Sequence, residues 1–125
     1  FLSLIQITLE TQVRQLIDEI ASSLNHMQRN LWVDLVGTTF KVHRSFAISL
    51  VLINVMLFFR NYRLKYRYQL VNFVCGVVFL EVLSGVVLTY FDMLALMQPI
   101  HLIAASLLFV LQIALYFKLQ KAKSI

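Results

Sequence analysis

Residues 100–117 contain no charged side chain, and no other feature restricts the chain so strongly. A run of that length matches the hydrocarbon core of a bilayer, which takes roughly 17–25 predominantly apolar residues as a helix. Residues 70–91 are the same kind of segment, with Glu81 their only charge and Asn72 their only amide. A third builds from Val42 and is free of charge over 45–59. It reaches spanning length if its polar start, 38–44, lies at the interface. The chain opens at Phe1 inside an apolar run that lasts through Leu9 and turns amphipathic over 10–20. That segment is short as given and reads as a helix entered part-way along. Composition agrees: 60% of residues are hydrophobic and 14% charged, against about 45–50% and about 25% in soluble domains. The net charge of +5 therefore points to basic membrane loops rather than to nucleic acid. A single cysteine, Cys75, excludes a disulfide framework within the chain and any CxxC site.

These segments predict an all-α polytopic membrane protein, a four-helix transmembrane bundle forming one unit over 1–125. The helices are expected over 1–24, 38–60, 69–91 and 99–120. Charge sets the orientation. Arg60, Arg63, Lys65 and Arg67 lie between helices two and three, and Lys118, Lys121 and Lys123 follow helix four. Those two stretches hold seven of the 11 bases and none of the 6 acids, so the 60–68 loop and the C-terminus are expected on the cytoplasmic side. Asp18, Glu19, Asp34 and Asp92 fall on the other side with the 25–37 and 92–99 loops. Tyr62, Tyr66 and Tyr68 among the inner bases, and Trp32 in the outer loop, suit interfacial anchoring.

A faint repeat relates helix one, Leu-Ile-Gln-Ile-Thr-Leu-Glu over 4–10, to helix three, Phe-Leu-Glu-Val-Leu-Ser-Gly over 79–85. Each run leads outward, and after an outer loop comes a helix whose first turns carry a histidine, His43 or His101. Repeat units related by an axis along the membrane normal are a known membrane architecture. The two histidines thus fall at one depth on parallel helices, placed to clamp an iron porphyrin from both sides. The competing reading makes each an interfacial imidazole bonded to a carbonyl. Ionisable groups inside spans usually face the bundle or a cavity, which leaves the two readings about level. Arg44 and Arg14 are candidates to pair with haem propionates, whereas Lys41 suits snorkelling to the interface.

Other residues carry weaker signals. Arg14 and Asp18 are spaced to pair on one helical face. Glu81 lies mid-helix and is expected to be buried against a partner, protonated, or both, and a purely structural hydrogen bond is the favoured reading. Met93, Met97 and His101 recur at four-residue spacing, a possible soft set for Cu(I), although Pro99 interrupts it. Cys75 reads as a small apolar side chain, and His26 as a solvated loop residue. The sequence contains no nucleotide loop, catalytic triad or zinc spacing.

Four stretches resemble the heme A synthase family: residues 9–20 (Leu-Glu-Thr-Gln-Val-Arg-Gln-Leu-Ile-Asp-Glu-Ile), 42–47 (Val-His-Arg-Ser-Phe-Ala), 80–88 (Leu-Glu-Val-Leu-Ser-Gly-Val-Val-Leu) and 98–102 (Gln-Pro-Ile-His-Leu). The resemblance is to the C-terminal half of the bacterial proteins. It implies half of a pseudo-symmetric eight-helix protein of the inner membrane that assists cytochrome c oxidase assembly by oxidising heme O to heme A. It further implies that this half binds haem b through His43 and His101 and passes electrons. The catalytic residues would belong to the other, N-terminal half, which is an expected partner along with the bilayer, heme O, and heme O synthase or oxidase assembly factors. Alone, this half is expected to be inactive. One departure is Glu10, where the family often has Gly before the Thr-Gln-Val-Arg run; it removes a close helix contact and introduces an acid. The rival reading is a non-enzymatic membrane cytochrome b using the same histidines, and a haem-free structural subunit is a third.

Overall fold

The computed structural model describes residues 2–64, 68–94 and 96–123, and among these the secondary structure is entirely helical. Four long helices, α1 (Leu2–Ser23), α3 (Thr38–Arg63), α4 (Gln69–Tyr90) and α5 (Met97–Lys123), alternate in direction. A 3-10 turn (Arg29–Leu31) and the five-residue α2 (Trp32–Val36) fill the connection between α1 and α3, at the end of the bundle called outer after its expected orientation. α3, α4 and α5 are each long and apolar enough to cross a membrane. The all-helical membrane architecture expected from the sequence is thus what the chain forms. Lys65, Tyr66 and Arg67 of the inner basic run, and Phe1, lie outside the described residues.

The helices stop where local chemistry permits. α1 closes on a left-handed turn at Asn25 and His26, where the His26 amide donates to the Ala21 carbonyl at 2.7 Å. That bond spans the last turn and satisfies a carbonyl the helix leaves open. α4 is capped by Phe91, whose amide donates to the Val87 carbonyl at 2.9 Å, and left-handed Asp92 and Met93 follow. Gly37 separates α2 from α3 at φ 64°, a backbone conformation that a side chain would strain. Pro99 falls in the first turn of α5, where its missing N–H costs nothing, so the helix begins before it and runs on through it.

α1 packs against α3 and α5, and α4 packs against the same two, most extensively against α5. The four therefore close into a ring with α3 and α5 on one diagonal. The bundle is apolar outside and partly polar inside, as a lipid-facing protein should be. Phe58, Phe59, Phe73, Phe79, Val110 and Phe117 are exposed, while Ser3, Glu10, Asn54, Asn61 and Ser84 are buried. Along the buried stripe of α1 the character changes. Val13, Ile17 and Ala21 join Trp32, Val36 and Met93 in an outer apolar cluster, whereas Ser3 and Glu10 face inward nearer the start of the helix. Val71, Val74, Val78, Leu108 and Leu115 form a second apolar cluster between α4 and α5.

Trp32 corrects an expectation. It is only 4% exposed, inside the outer cluster, with its indole N–H donated to the Met27 carbonyl at 2.9 Å and the Arg29 guanidinium 5.5 Å from its ring. It seals the outer end of the bundle and does not anchor at the interface. Tyr62, in contrast, is well exposed at the inner end of α3.

Candidate functional site

Between the outer apolar cluster and the middle of the bundle lies a layer of polar side chains from all four long helices. His43 stands in the second turn of α3 and His101 in the second turn of α5, both half-buried. Because α3 and α5 occupy a diagonal, these two rings approach from opposite sides of the interior.

Each ring is held at Nδ1 by a helix of the other kind. Gln6 of α1 places Nε2 3.1 Å from His43 Nδ1. On α4, Glu81 Oε2 lies 3.0 Å from His101 Nδ1, and Ser84 Oγ 2.7 Å from the same nitrogen. Ser84 also donates to the Glu81 carbonyl at 3.0 Å, which fixes its hydroxyl in that position. Gly85 completes the seat: a Cβ there would come within 3.3 Å of His101 Cε1, so α4 can approach the ring only without a side chain at that position. Glu10 reaches across from α1 and sets Oε1 3.8 Å from His101 Nε2. Two carboxylates of low exposure thus flank one imidazole, one at each ring nitrogen. Since they approach different nitrogens, they frame the ring and do not converge on a point between them. Gln6 Oε1 and Glu81 Oε1 are buried polar atoms left without a hydrogen-bond partner among the described residues.

One layer further in, Gln112 of α5 accepts from the Ser3 hydroxyl of α1 and donates to Asn54 Oδ1 of α3 at 3.3 Å. Asn54 also donates to its own Leu50 carbonyl at 2.8 Å, and the Cys75 thiol of α4 lies 3.7 Å from the Asn54 carbonyl. This set links all four long helices through satisfied polar contacts. The sequence does not show it, because Ser3, Asn54 and Gln112 stand as isolated polar residues in separate apolar runs. At the inner end, Asn61 grips Tyr68 through both its backbone N–H (3.1 Å) and its carbonyl (3.3 Å).

The remaining candidates are placed as follows. Arg14 Nε lies 3.9 Å from Asp18 Oδ2 on an exposed face of α1, the pairing their spacing suggested. An open groove of about 720 Å³ runs along that face past Thr11, Gln15 and Glu19. Arg44 is exposed beside His43, with its guanidinium 5.9 Å from the Phe40 ring. Met97 and His101 share α5, but Met93 is buried in the outer apolar cluster on a left-handed turn, off that helix. Among the described residues no group of three or more His, Cys, Asp or Glu is arranged to hold a metal ion.

The family of cytochrome oxidase assembly proteins known as COX15-CtaA matches residues 4–113. The chain belongs to that family. The COX15-CtaA match takes in Gln6, Glu10, His43, Asn54, Glu81, Ser84, His101 and Gln112, the whole of the polar interior except Ser3. It is also the heme A synthase family that the four sequence stretches resemble. No curated protein and no solved structure matches the chain.

Proposed function

We propose that this chain is the haem b-binding, C-terminal half of a heme A synthase, with His43 and His101 as the two axial ligands of the iron. The observation that carries the reading is that both rings make their hydrogen bonds at Nδ1. A metal-ligating histidine needs this arrangement, with one nitrogen held by a neighbouring group and Nε2 directed to the metal. The diagonal placement of α3 and α5 supports it, since cofactor sites in helical bundles are built from side chains on facing helices. The orphaned Gln6 oxygen fits as well. Turning the Gln6 amide over gives up its 3.5 Å bond to the His43 carbonyl and presents Oε1 to an Nδ1–H on His43, the tautomer a ligating ring requires. Glu10 must swing off Nε2 of His101 for the metal to reach it, and its side chain has the length to do so.

When bound, the haem supplies reversible one-electron transfer. The residues of this chain supply position and field. With His43 and His101 both holding the iron, this half would pass electrons, and the oxidation of heme O to heme A would fall to the other half. Arg44 and Arg14, at the outer end, are the cations proposed to pair with the propionates. The protein lies in the bacterial inner membrane with the 60–68 loop and the C-terminus in the cytoplasm and the 25–37 and 92–99 connections outside. Its proposed partners are the N-terminal half, heme O, and heme O synthase or oxidase assembly factors.

The test is a dithionite-reduced minus air-oxidised spectrum of the detergent-purified protein beside His43→Ala and His101→Ala. The expected result is sharp low-spin b-type bands, lost or turned high-spin in each variant. A protein that stays colourless after addition of haem overturns the reading. Bands that survive in both variants overturn the ligand assignment. A cytochrome that only carries electrons is separated by whether the protein together with its N-terminal half converts heme O.

A further inference from the structure

The repeat noted in the sequence has a counterpart at the histidines. Aligning residues 4–10 with 79–85 sets Gln6 on Glu81. In the structure Gln6 meets Nδ1 of His43 at 3.1 Å and Glu81 meets Nδ1 of His101 at 3.0 Å. One structural position is therefore filled twice, by an amide in one repeat and by a carboxylate in the other. The two side chains are alike in shape and differ in charge.

We propose that this difference makes the two ligands unequal, with Glu81 acting as the positioning residue that renders His101 the stronger electron donor to the iron. The inference rests on the haem-ligation reading above. A carboxylate is an acceptor only and forms a shorter, charge-assisted bond, about twice as strong as that from a neutral amide. It draws the Nδ1 proton toward itself, gives the ring imidazolate character and raises the basicity of Nε2. A more basic ligand stabilises ferric over ferrous iron and lowers the reduction potential. Low exposure reinforces the effect: the side chains of His101 and Glu81 are 14% and 15% accessible, so water screens the pair weakly. The ring cannot turn away. Ser84 Oγ holds the same nitrogen at 2.7 Å, and Gly85 lets the helix backbone close against Cε1. Glu81, Ser84 and Gly85 thus form one face of α4 that fixes both the direction and the electronics of His101. Gln6 gives His43 direction without the negative charge.

The experiment compares the haem-loaded protein with Glu81→Gln and with the reciprocal Gln6→Glu, reading the midpoint potential and the low-spin ferric EPR spectrum. Glu81→Gln is expected to shift the reduction equilibrium toward ferrous haem by tenfold or more, 59 mV for a one-electron couple, and to widen the g-anisotropy. Gln6→Glu is expected to move both readouts the opposite way. Unchanged potential and g-values in both variants, with bands that still depend on His43 and His101, overturn this inference and leave the ligation standing. If Glu81→Gln does not fold, Gln6→Glu and the narrowed g-anisotropy of the unaltered protein decide the matter. If the unaltered protein takes up no haem, both readings fall together.

Discussion

At the scale of single residues, the polar interior is built from groups that would be costly in lipid unless paired, and their pairings differ in how readily the sequence shows them. His43, His101 and Glu81 are conspicuous because ionisable side chains in apolar runs must face inward. Gln6 is not, since one amide in a short run looks incidental until its bond to His43 is known. Its partner could have been found by carrying the repeat one step further, from the histidines to the residues aligned with each other on helices one and three. Gly85 is likewise silent in the sequence, because its role is the absence of a Cβ 3.3 Å from His101 Cε1. Gly85→Ala is therefore expected to push the ring off its Ser84 and Glu81 seat and weaken haem retention about tenfold, the lower range for loss of a supporting contact. Haem titration of the purified variant measures it, and retention equal to the unaltered protein would show that the seat has slack. Asn61 makes a separate prediction. Its amide bonds two backbone groups of Tyr68, whose carbonyl also accepts from the Val71 N–H at 3.0 Å, so Asn61→Leu removes two contacts and is expected to destabilise the protein by about 0.5–1.5 kcal/mol, read by thermal unfolding in detergent.

The elements follow from hydropathy where lipid is the solvent and from packing where it is not. The three apolar spans were legible as helices because a bilayer leaves the backbone no alternative. The outer connection between α1 and α3 was less so: it contains α2, five residues long, whose place depends on Trp32 and Val36 entering the cluster of Val13, Ile17, Ala21 and Met93. A tryptophan near an interface has two uses, anchoring to lipid headgroups or filling a gap between elements, and sequence position alone does not distinguish them. Trp32→Ala is expected to cost about 3–5 kcal/mol, since it empties a well-packed site and frees the Met27 carbonyl. Thermal unfolding in detergent checks this, and a loss within a few tenths of a kcal/mol would return Trp32 to an anchoring role. The Ser3–Gln112–Asn54 set is expected to contribute less. Hydrogen bonds between helices in membranes average about 0.6 kcal/mol and reach about 1.7. Asn54→Leu should therefore lower stability modestly while leaving the four-helix ring intact.

For the whole molecule, the arrangement of charge is a stronger determinant than any contact. The ring of α1, α3, α4 and α5 can sit in a bilayer either way up, so packing alone does not say which end faces the cytoplasm. The proposed orientation rests on the basic residues: Arg60 and Arg63 lie exposed at the end of α3, and Lys118 near that of α5, where its ammonium sits 5.7 Å from the Tyr68 ring. The outer end holds the exposed acids Asp18, Asp34 and Asp92. Moving bases across the hydrocarbon is the step that insertion avoids, and short loops such as 60–68 are those in which the bias acts. A cysteine placed at Asn30, exposed in the outer 3-10 turn, should react with a membrane-impermeant maleimide in spheroplasts. One placed at Leu64 should react only after permeabilisation. Cys75 is replaced by Ala in both to remove the background thiol, which sits partly buried within the α4 span and contributes only a weak contact to the Asn54 carbonyl. The opposite labelling pattern would invert the protein and place both histidine rings near the cytoplasmic face, with any electron donor to the haem then sought on that side.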